Sequence, residues 1–198
     1  MALGTSMGAG LLLKYLMEVG ENCILKGAVV VGTPFDYKAC RAKLNSFWPY
    51  LGLADGFIVK SLKSQLESVA VHLATMPEDL KERNICLEKV RNIKTSQEFD
   101  EEFTIKMVNY KSTEEYYTDA SVGYDLKRIK VPTLSLNSAD DPIVPFYPEQ
   151  AVKIAENPYV LLAYTKLGGH IGFYTGWHPV RWYPKPCLEF LDASITHS

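Results

Sequence analysis

The 198-residue sequence predicts an α/β fold, in which a parallel sheet is flanked by helices and interrupted by a helical insertion. Three observations support this prediction. Apolar runs without polar alternation, as at 25–33, are typical of strands that are covered on both faces. Two further apolar segments flank a helix-like segment near the C-terminus. Almost a hundred residues with mostly helical patterns separate the second predicted element from these segments, which is far longer than an ordinary connection.

The N-terminal part of the chain predicts a helix followed by a strand. Residues 6–19 have a broad apolar face, and Gly20 directly after them is a usual residue at the end of a helix. Residues 25–33 form the first predicted buried strand. Only three residues precede Gly4, so we expect this strand to lack most of one neighbour in the sheet.

The C-terminal part predicts a second set of elements. Strands at 131–137 and 159–165, with a helix at 148–156 between them, have the order of a right-handed parallel crossover. A closing helix is predicted at about 185–193. We therefore predict that the whole chain, 1–198, belongs to one domain that contains an insertion.

The insertion is predicted to be a helical lid. We place the core at 1–36 and 129–198 and the lid at 37–128. Lids of this kind select substrates, although aromatic residues within one are more often its own core. Both interpretations stay open for seven aromatic residues, namely Phe47, Trp48, Phe57, Phe99, Phe103, Tyr116 and Tyr117.

Composition argues against several classes of function. The 21 basic and 23 acidic side chains give a net charge of −2 without a run of like charges, so a nucleic-acid partner is not expected. The four cysteines are isolated, which argues against a zinc site or a disulfide scaffold, and no cofactor is predicted. No segment resembles a signal peptide or a spanning helix, so we expect a cytoplasmic chain.

A candidate nucleophile opens the first predicted helix. Gly4, Thr5, Ser6, Met7 and Gly8 form the pattern G-x-S-x-G, in which glycines permit a sharp turn that exposes the serine hydroxyl. The pattern alone is weak, because roughly one chain in fifteen of this length contains it by chance. Its position at the start of an apolar helix favours a nucleophile.

A candidate acid follows the strand at 131–137. Asp140, Asp141 and Pro142 stand where open α/β sheets keep functional groups, although aspartate and proline also favour ordinary turns. We choose Asp141 as the acid because it begins the segment D-P-I-V-P. Asp140 is expected to cap or position the loop.

A candidate base follows the strand at 159–165. Of four histidines, only His170 stands just past a predicted strand, after Gly168 and Gly169. Serine, aspartate and histidine in this chain order are typical of the α/β-hydrolase fold. The sequence therefore predicts a catalytic triad of Ser6, Asp141 and His170.

The expected chemistry is acyl transfer through Ser6. His170 would take the hydroxyl proton, Asp141 would hold the imidazole, and the backbone N–H of Met7 would stabilise the oxyanion. A second oxyanion donor is expected from a loop after an earlier strand, which this sequence does not contain.

Several motifs in register resemble one branch of the α/β-hydrolases. The segments LGTSMGAGLLLKYL, EFDEEFT, YYTDAS, VPTLSLNSADDPIVP and LGGHIGF are together similar to the YheT-like branch, the AB hydrolase 4 family. The similarity is greatest to abhydrolase-domain-containing proteins one and three. It implies the same triad, Ser6, Asp141 and His170, and the C-terminal part of an α/β-hydrolase fold, truncated at its N-terminus. Relatives often have an N-terminal membrane anchor, so membrane association is expected only for a longer form.

The resemblance implies a serine hydrolase of acyl esters, of the carboxylesterase, acylglycerol lipase or phospholipase type. The expected partner is a small acyl ester or lipid, with neither nucleic acid nor metal. Two alternatives remain open at this point. One is an alcohol O-acyltransferase that uses medium-chain acyl groups, and the other is a catalytically silent fragment with a binding or regulatory role.

Overall fold

The computed structural model describes residues 1–46, 50–123 and 125–196, and the chain divides into two compact units. The first unit contains Met1–Lys43 and Ala120–Ser198, and the second contains Leu44–Asp119. The second unit therefore lies within the predicted insertion at 37–128. The first unit is larger than the predicted core, because it also includes residues 37–43 and 120–128 at the two ends of the predicted insertion.

Helices separate the first four strands along the chain, as in an α/β fold. The strands are β1 (Ala2–Thr5), β2 (Ala28–Val31), β3 (Thr133–Ser138), β4 (Val160–Thr165), β5 (Tyr174–Thr175) and β6 (Val180–Arg181). The helices are α1 (Met7–Val19), α2 (Tyr37–Ser46), α3 (Tyr50–Ala74), α4 (Pro77–Glu82), α5 (Leu87–Asn92), α6 (Ser96–Phe99), α7 (Ile105–Met107), α8 (Thr113–Ala120), α9 (Pro148–Ala155) and α10 (Pro184–Thr196). A 3₁₀ turn follows α1 at Gly20–Asn22, and a π-helical turn precedes α7 at Asp100–Thr104.

Four strands form one parallel sheet in the order β1-β2-β3-β4. Every residue of β2 pairs with a residue of β1, from Ala2 opposite Ala28 to Thr5 opposite Val31. The expectation that the strand at 25–33 would lack most of one neighbour is therefore wrong. The regular strand is only four residues long, so the short segment before Ser6 suffices to pair with it, and β1 forms the edge of the sheet.

Both faces of the sheet are covered, which confirms the predicted parallel sheet flanked by helices. The four residues of β2 are all fully buried. Ala28 and Val30 belong to an apolar cluster with Leu13 of α1, whereas Val29 and Val31 belong to a cluster on the opposite face. Successive side chains of a strand point to opposite faces, which explains why a continuous run of valines serves both clusters.

The second unit has an apolar core of its own. Val59, Leu66 and Leu73 of α3 are buried with Val90 of α5, at the spacing of one helix face. The aromatic residues predicted for the lid divide: Phe99 and Tyr117 are buried, Phe103 packs against this core, Tyr116 is half-buried and Phe57 is exposed. Phe99 and Phe103 thus fit the interpretation as core residues, while Phe47 and Trp48 lie outside the described residues.

The helices of the described segments include none that could cross a bilayer. Even α3, the longest of them, is too polar over the required length.

Burial of β2 predicts a strong dependence of stability on its valines. Val30→Ala should lower the free energy of unfolding by about 2 kcal/mol, because the deleted methyl groups leave a cavity between sheet and helix. Val152→Ala is the matched control, since Val152 is 66% exposed on α9 and should change stability by less than about 0.5 kcal/mol. Thermal unfolding of both variants measures the difference, and equal effects would contradict the buried position of β2.

Candidate active site

Ser6 occupies a strained turn between β1 and α1. Its φ of 49° and ψ of −124° lie in a region that residues other than glycine rarely adopt. Its N–H donates to the carbonyl oxygen of Val31 at 2.9 Å, which fixes the turn to the neighbouring strand. This is the geometry of a nucleophile elbow, in which the hydroxyl stands beyond the sheet at the start of a helix.

Gly4 allows β1 to run against the first turn of α1. A Cβ atom at Gly4 would lie only 2.5 Å from the carbonyl oxygen of Gly8 and 2.9 Å from the Cα of Ala9. Gly8 itself faces open space, because an added Cβ meets no atom within 4 Å. The two glycines of the motif therefore have different roles, and only Gly4 is required by a close approach.

Asp141 is buried in the turn that follows β3, with only 2% of the residue exposed. Its Oδ1 accepts hydrogen bonds from the N–H groups of Ile143 and Val144, both at 2.8 Å. Its backbone carbonyl accepts a hydrogen bond from the ammonium group of Lys43 at 2.6 Å. These contacts hold the carboxylate in one orientation and leave Oδ2 for the imidazole.

Asp140 binds the backbone of another loop. Its Oδ1 accepts hydrogen bonds from the N–H groups of Gly168 and Gly169, both at 2.8 Å. This loop carries His170. The contacts agree with the prediction that Asp140 positions a loop, and they identify which loop it is.

The loop around His170 is tightly folded. Gly169, Ile171 and Phe173 all have positive φ, of 57°, 63° and 46°. The N–H of Phe173 donates to the carbonyl oxygen of Gly168 at 2.7 Å, and a Cβ at Gly168 would lie 2.5 Å from the Phe173 ring. Non-glycine residues with positive φ persist only where the surrounding structure fixes them. The loop thus presents the imidazole from a fixed backbone.

Gly32 lies against the imidazole and was not singled out from the sequence. It follows β2 with a φ of 61°, and an added Cβ would lie 3.1 Å from Cγ1 of Ile171 and 3.5 Å from Cε1 of His170. A side chain at this position would press on the base. The available sequence signal was a glycine within the predicted strand 25–33, which often marks a close approach, but its neighbour could not be inferred.

The three predicted residues meet at the carboxyl ends of the strands. Ser6 Oγ lies 2.8 Å from His170 Nε2, and His170 Nδ1 lies 2.8 Å from Asp141 Oδ2. A carboxylate only accepts hydrogen bonds, so the ring proton belongs on Nδ1 and Nε2 accepts the serine O–H. The Asp141 side chain is 1% exposed and that of His170 is 16% exposed. This arrangement can remove a proton from Ser6 as the oxygen attacks.

Met7 is the first residue of α1. Backbone N–H groups in the first turn of a helix have no acceptor within that helix and carry partial positive charge. The position therefore suits the predicted role of this N–H as an oxyanion donor.

The pKa of the Cys40 thiol is affected by burial and by the nearby carboxylate of Asp141. Burial, followed by the carboxylates of Asp141 and Asp36, raises the pKa of the Cys40 thiol to about 12, although the charge of Lys43 opposes the shift. The thiol is protonated at neutral pH and is no competing nucleophile.

The described segments contain no cluster of three histidine, cysteine, aspartate or glutamate side chains that could hold a metal ion.

The second unit has an open cleft of about 520 Å³ whose lining includes Arg83 and Lys106. Arg83 donates to the carbonyl oxygen of Met107, and Lys106 donates to that of Asn84 and to Glu102. These hydrogen bonds account for both cations as structural contacts.

The two motif glycines allow a matched test of the elbow. Gly4→Ala should lower the free energy of unfolding by about 2 kcal/mol, because the new methyl group overlaps the backbone of α1. Gly8→Ala should be neutral or stabilise by up to about 1 kcal/mol, since alanine favours a helix and meets open space. Chemical denaturation compares the two, and a Gly4→Ala variant as stable as Gly8→Ala would show that β1 and α1 are further apart.

The sequence is similar to those of known lipases. Phospholipase ABHD3 of Bos taurus is 34% identical over 199 residues, which cover 100% of this chain and 46% of the relative. A monoacylglycerol lipase of Saccharomyces cerevisiae is 32% identical over 191 residues, covering 96% of this chain and 41% of the relative. The chain thus spans less than half the length of these two relatives.

Among solved structures, an α/β-fold family hydrolase from Bacillus anthracis matches with a TM-score of 0.52 and 18% identity. The match covers 97% of this chain and 66% of that chain. At this identity it shows a similar fold and no more. No protein-family model matches the sequence.

Proposed function

Because the chain belongs to the α/β-hydrolase superfamily, we propose that Ser6, His170 and Asp141 form a catalytic triad that hydrolyses acyl esters of lipids. The observation that supports this most directly is the continuous hydrogen-bonded chain from Ser6 Oγ through the imidazole to Asp141 Oδ2. The strained backbone of Ser6 is a second support, because such strain concentrates at functional sites.

The geometry supports a two-step reaction. In the first step Ser6 Oγ attacks the ester carbonyl carbon while its proton passes to His170 Nε2, and the Met7 N–H stabilises the oxyanion. Collapse expels the alcohol, which takes the proton from Nε2, and leaves an acyl group on Ser6. In the second step His170 Nε2 takes a proton from water as the water oxygen joins the acyl carbon. The bond from that carbon to Ser6 Oγ then breaks, Nε2 returns the proton to Oγ, and the carboxylic acid leaves.

The proposed substrate class comes from the relatives. Their names denote a phospholipase and a monoacylglycerol lipase. A serine nucleophile suits the acyl esters of such lipids, because it forms an acyl-enzyme. Membership in the YheT-like branch and a cytoplasmic location stay predictions. The same acyl-enzyme could pass its acyl group to an alcohol, so product analysis with and without ethanol separates hydrolysis from acyl transfer.

Covalent labelling tests the nucleophile without knowledge of the substrate. A fluorophosphonate probe should label the purified chain at Ser6, as located by peptide mass spectrometry, and Ser6→Ala should abolish the labelling. Ser64→Ala, at an exposed serine of α3, is the matched control and should leave it unchanged. Absence of labelling in folded wild-type protein would contradict the proposal and favour a catalytically silent chain.

The two adjacent aspartates should differ strongly in their effects. In Asp141→Asn the amide oxygen can still accept from Ile143 and Val144, which turns the NH₂ group toward His170 and forces the wrong tautomer. We expect labelling to slow by about 10⁴, as in the worked serine-protease example. Asp140→Asn keeps an oxygen for Gly168 and Gly169, so its rate should fall far less. Equal losses, measured as labelling rates, would remove the assignment of Asp141.

A further inference from the structure

The hairpin formed by β5 and β6, residues 174–181, is anchored at its base. Tyr174 pairs with Arg181 and Thr175 pairs with Val180. Before β5, Phe173 is 1% exposed and belongs to an apolar cluster of the sheet. The ring of Trp182 meets it edge-on, with 5.6 Å between the centroids. The hairpin therefore projects from a fixed base.

The hairpin exposes apolar and aromatic side chains in its strands and in the turn between them. Trp177 is 96% exposed, Val180 is 63% exposed and Tyr174 is 57% exposed. Leu167, which is 76% exposed, adjoins Gly168, and a Cβ at Gly168 would touch the Phe173 ring at the base. Tryptophan is rarely exposed to this degree in a soluble protein, and an exposed apolar patch marks an interaction surface.

The stretch of sequence that contains the hairpin carries positive charge. The sequence has no aspartate or glutamate from residue 157 to residue 188, whereas Lys166, Arg181 and Lys185 fall within this stretch. Arg181 lies over the ring of Tyr174, with 5.4 Å between its Cζ and the centroid, so a cation stands on the hairpin itself. This local charge contrasts with the net charge of −2 for the whole chain.

We propose that the hairpin docks this protein on lipid bilayers that contain anionic lipids, with Trp177 inserted among the headgroups. Tryptophan and tyrosine combine an apolar ring with a polar group and are enriched at membrane interfaces for that reason. Lys166 and Arg181 would meet anionic headgroups, each contributing about 1 kcal/mol. The attachment is peripheral and differs from the anchor that was expected only for a longer form.

The hairpin is continuous with the loop of the candidate base. Phe173 is three residues after His170, and its N–H donates to the carbonyl oxygen of Gly168 in the same loop. Docking would therefore bring the carboxyl ends of the strands close to the bilayer, where acyl lipids reside. This last step rests on the proposed function, whereas the docking itself rests on the exposed aromatic residues and the nearby cations.

Vesicle cosedimentation tests the docking. The purified chain should bind vesicles of phosphatidylcholine with about one third phosphatidylserine more strongly than vesicles of phosphatidylcholine alone. Trp177→Ser should weaken the binding about tenfold, and Trp177→Tyr should retain most of it. The double variant Lys166→Gln with Arg181→Gln should lose about fivefold per charge on anionic vesicles.

Ile24→Ser is the matched control. Ile24 is 84% exposed and precedes β2, at the amino end of the sheet, so its loss should leave the vesicle binding unchanged. Probe labelling of Ser6 in the absence of vesicles should be the same in Trp177→Ser and in wild type, which separates this test from that of the proposed function. Wild-type protein that binds neither vesicle, or a Trp177→Ser variant that binds like wild type, would overturn the proposal.

Discussion

The site depends on a backbone turn at Ser6 that side-chain-bearing residues rarely adopt. A positive φ at such a residue costs of the order of 1–3 kcal/mol, so the turn must be held by its surroundings. The parallel pairing of β1 with β2 holds one side, and the buried face of α1 holds the other. Gly4 is required because β1 and the first turn of α1 nearly touch. The same contacts therefore stabilise the fold and position the Ser6 hydroxyl.

Two adjacent aspartates hold His170 and its loop. Asp141 reaches the imidazole, while Asp140 binds the backbone of the loop that carries it. Both side chains extend from the turn after β3, so this turn sets the position of His170 twice. Gly32, at the end of β2, leaves room for the imidazole on its other side. These contacts stabilise a loop in which three residues have positive φ. The loop can therefore hold the imidazole in one position.

The sequence predicted those features that depend on local pattern. The valines of β2 indicate a strand covered on both faces. The G-x-S-x-G pattern at the start of an apolar helix indicates Ser6, whereas Asp141 and His170 each follow a predicted strand. The strand was predicted too long, since the positive φ of Gly32 ends it after Val31. Contacts between distant segments could not be predicted: the ammonium of Lys43 on Asp141 and the approach of Gly32 to His170 join parts of the chain without a shared periodicity. The pairing of β1 was not predicted, because the few residues before Ser6 were expected to be too short for it. Four residues suffice, since β2 is itself only four residues long.

If His170 lies hydrogen-bonded between Ser6 and Asp141, its neutral imidazole must carry the ring proton on the nitrogen that faces the carboxylate. Nuclear magnetic resonance of protein with ¹⁵N-labelled histidine distinguishes the two ring nitrogens. We expect neutral His170 to carry its proton on Nδ1, where it donates to Asp141, and Asp141→Asn to shift the proton to Nε2. A His170 signal that shows the proton on Nε2 in wild type, or that is unaffected by Asp141→Asn, would contradict the account.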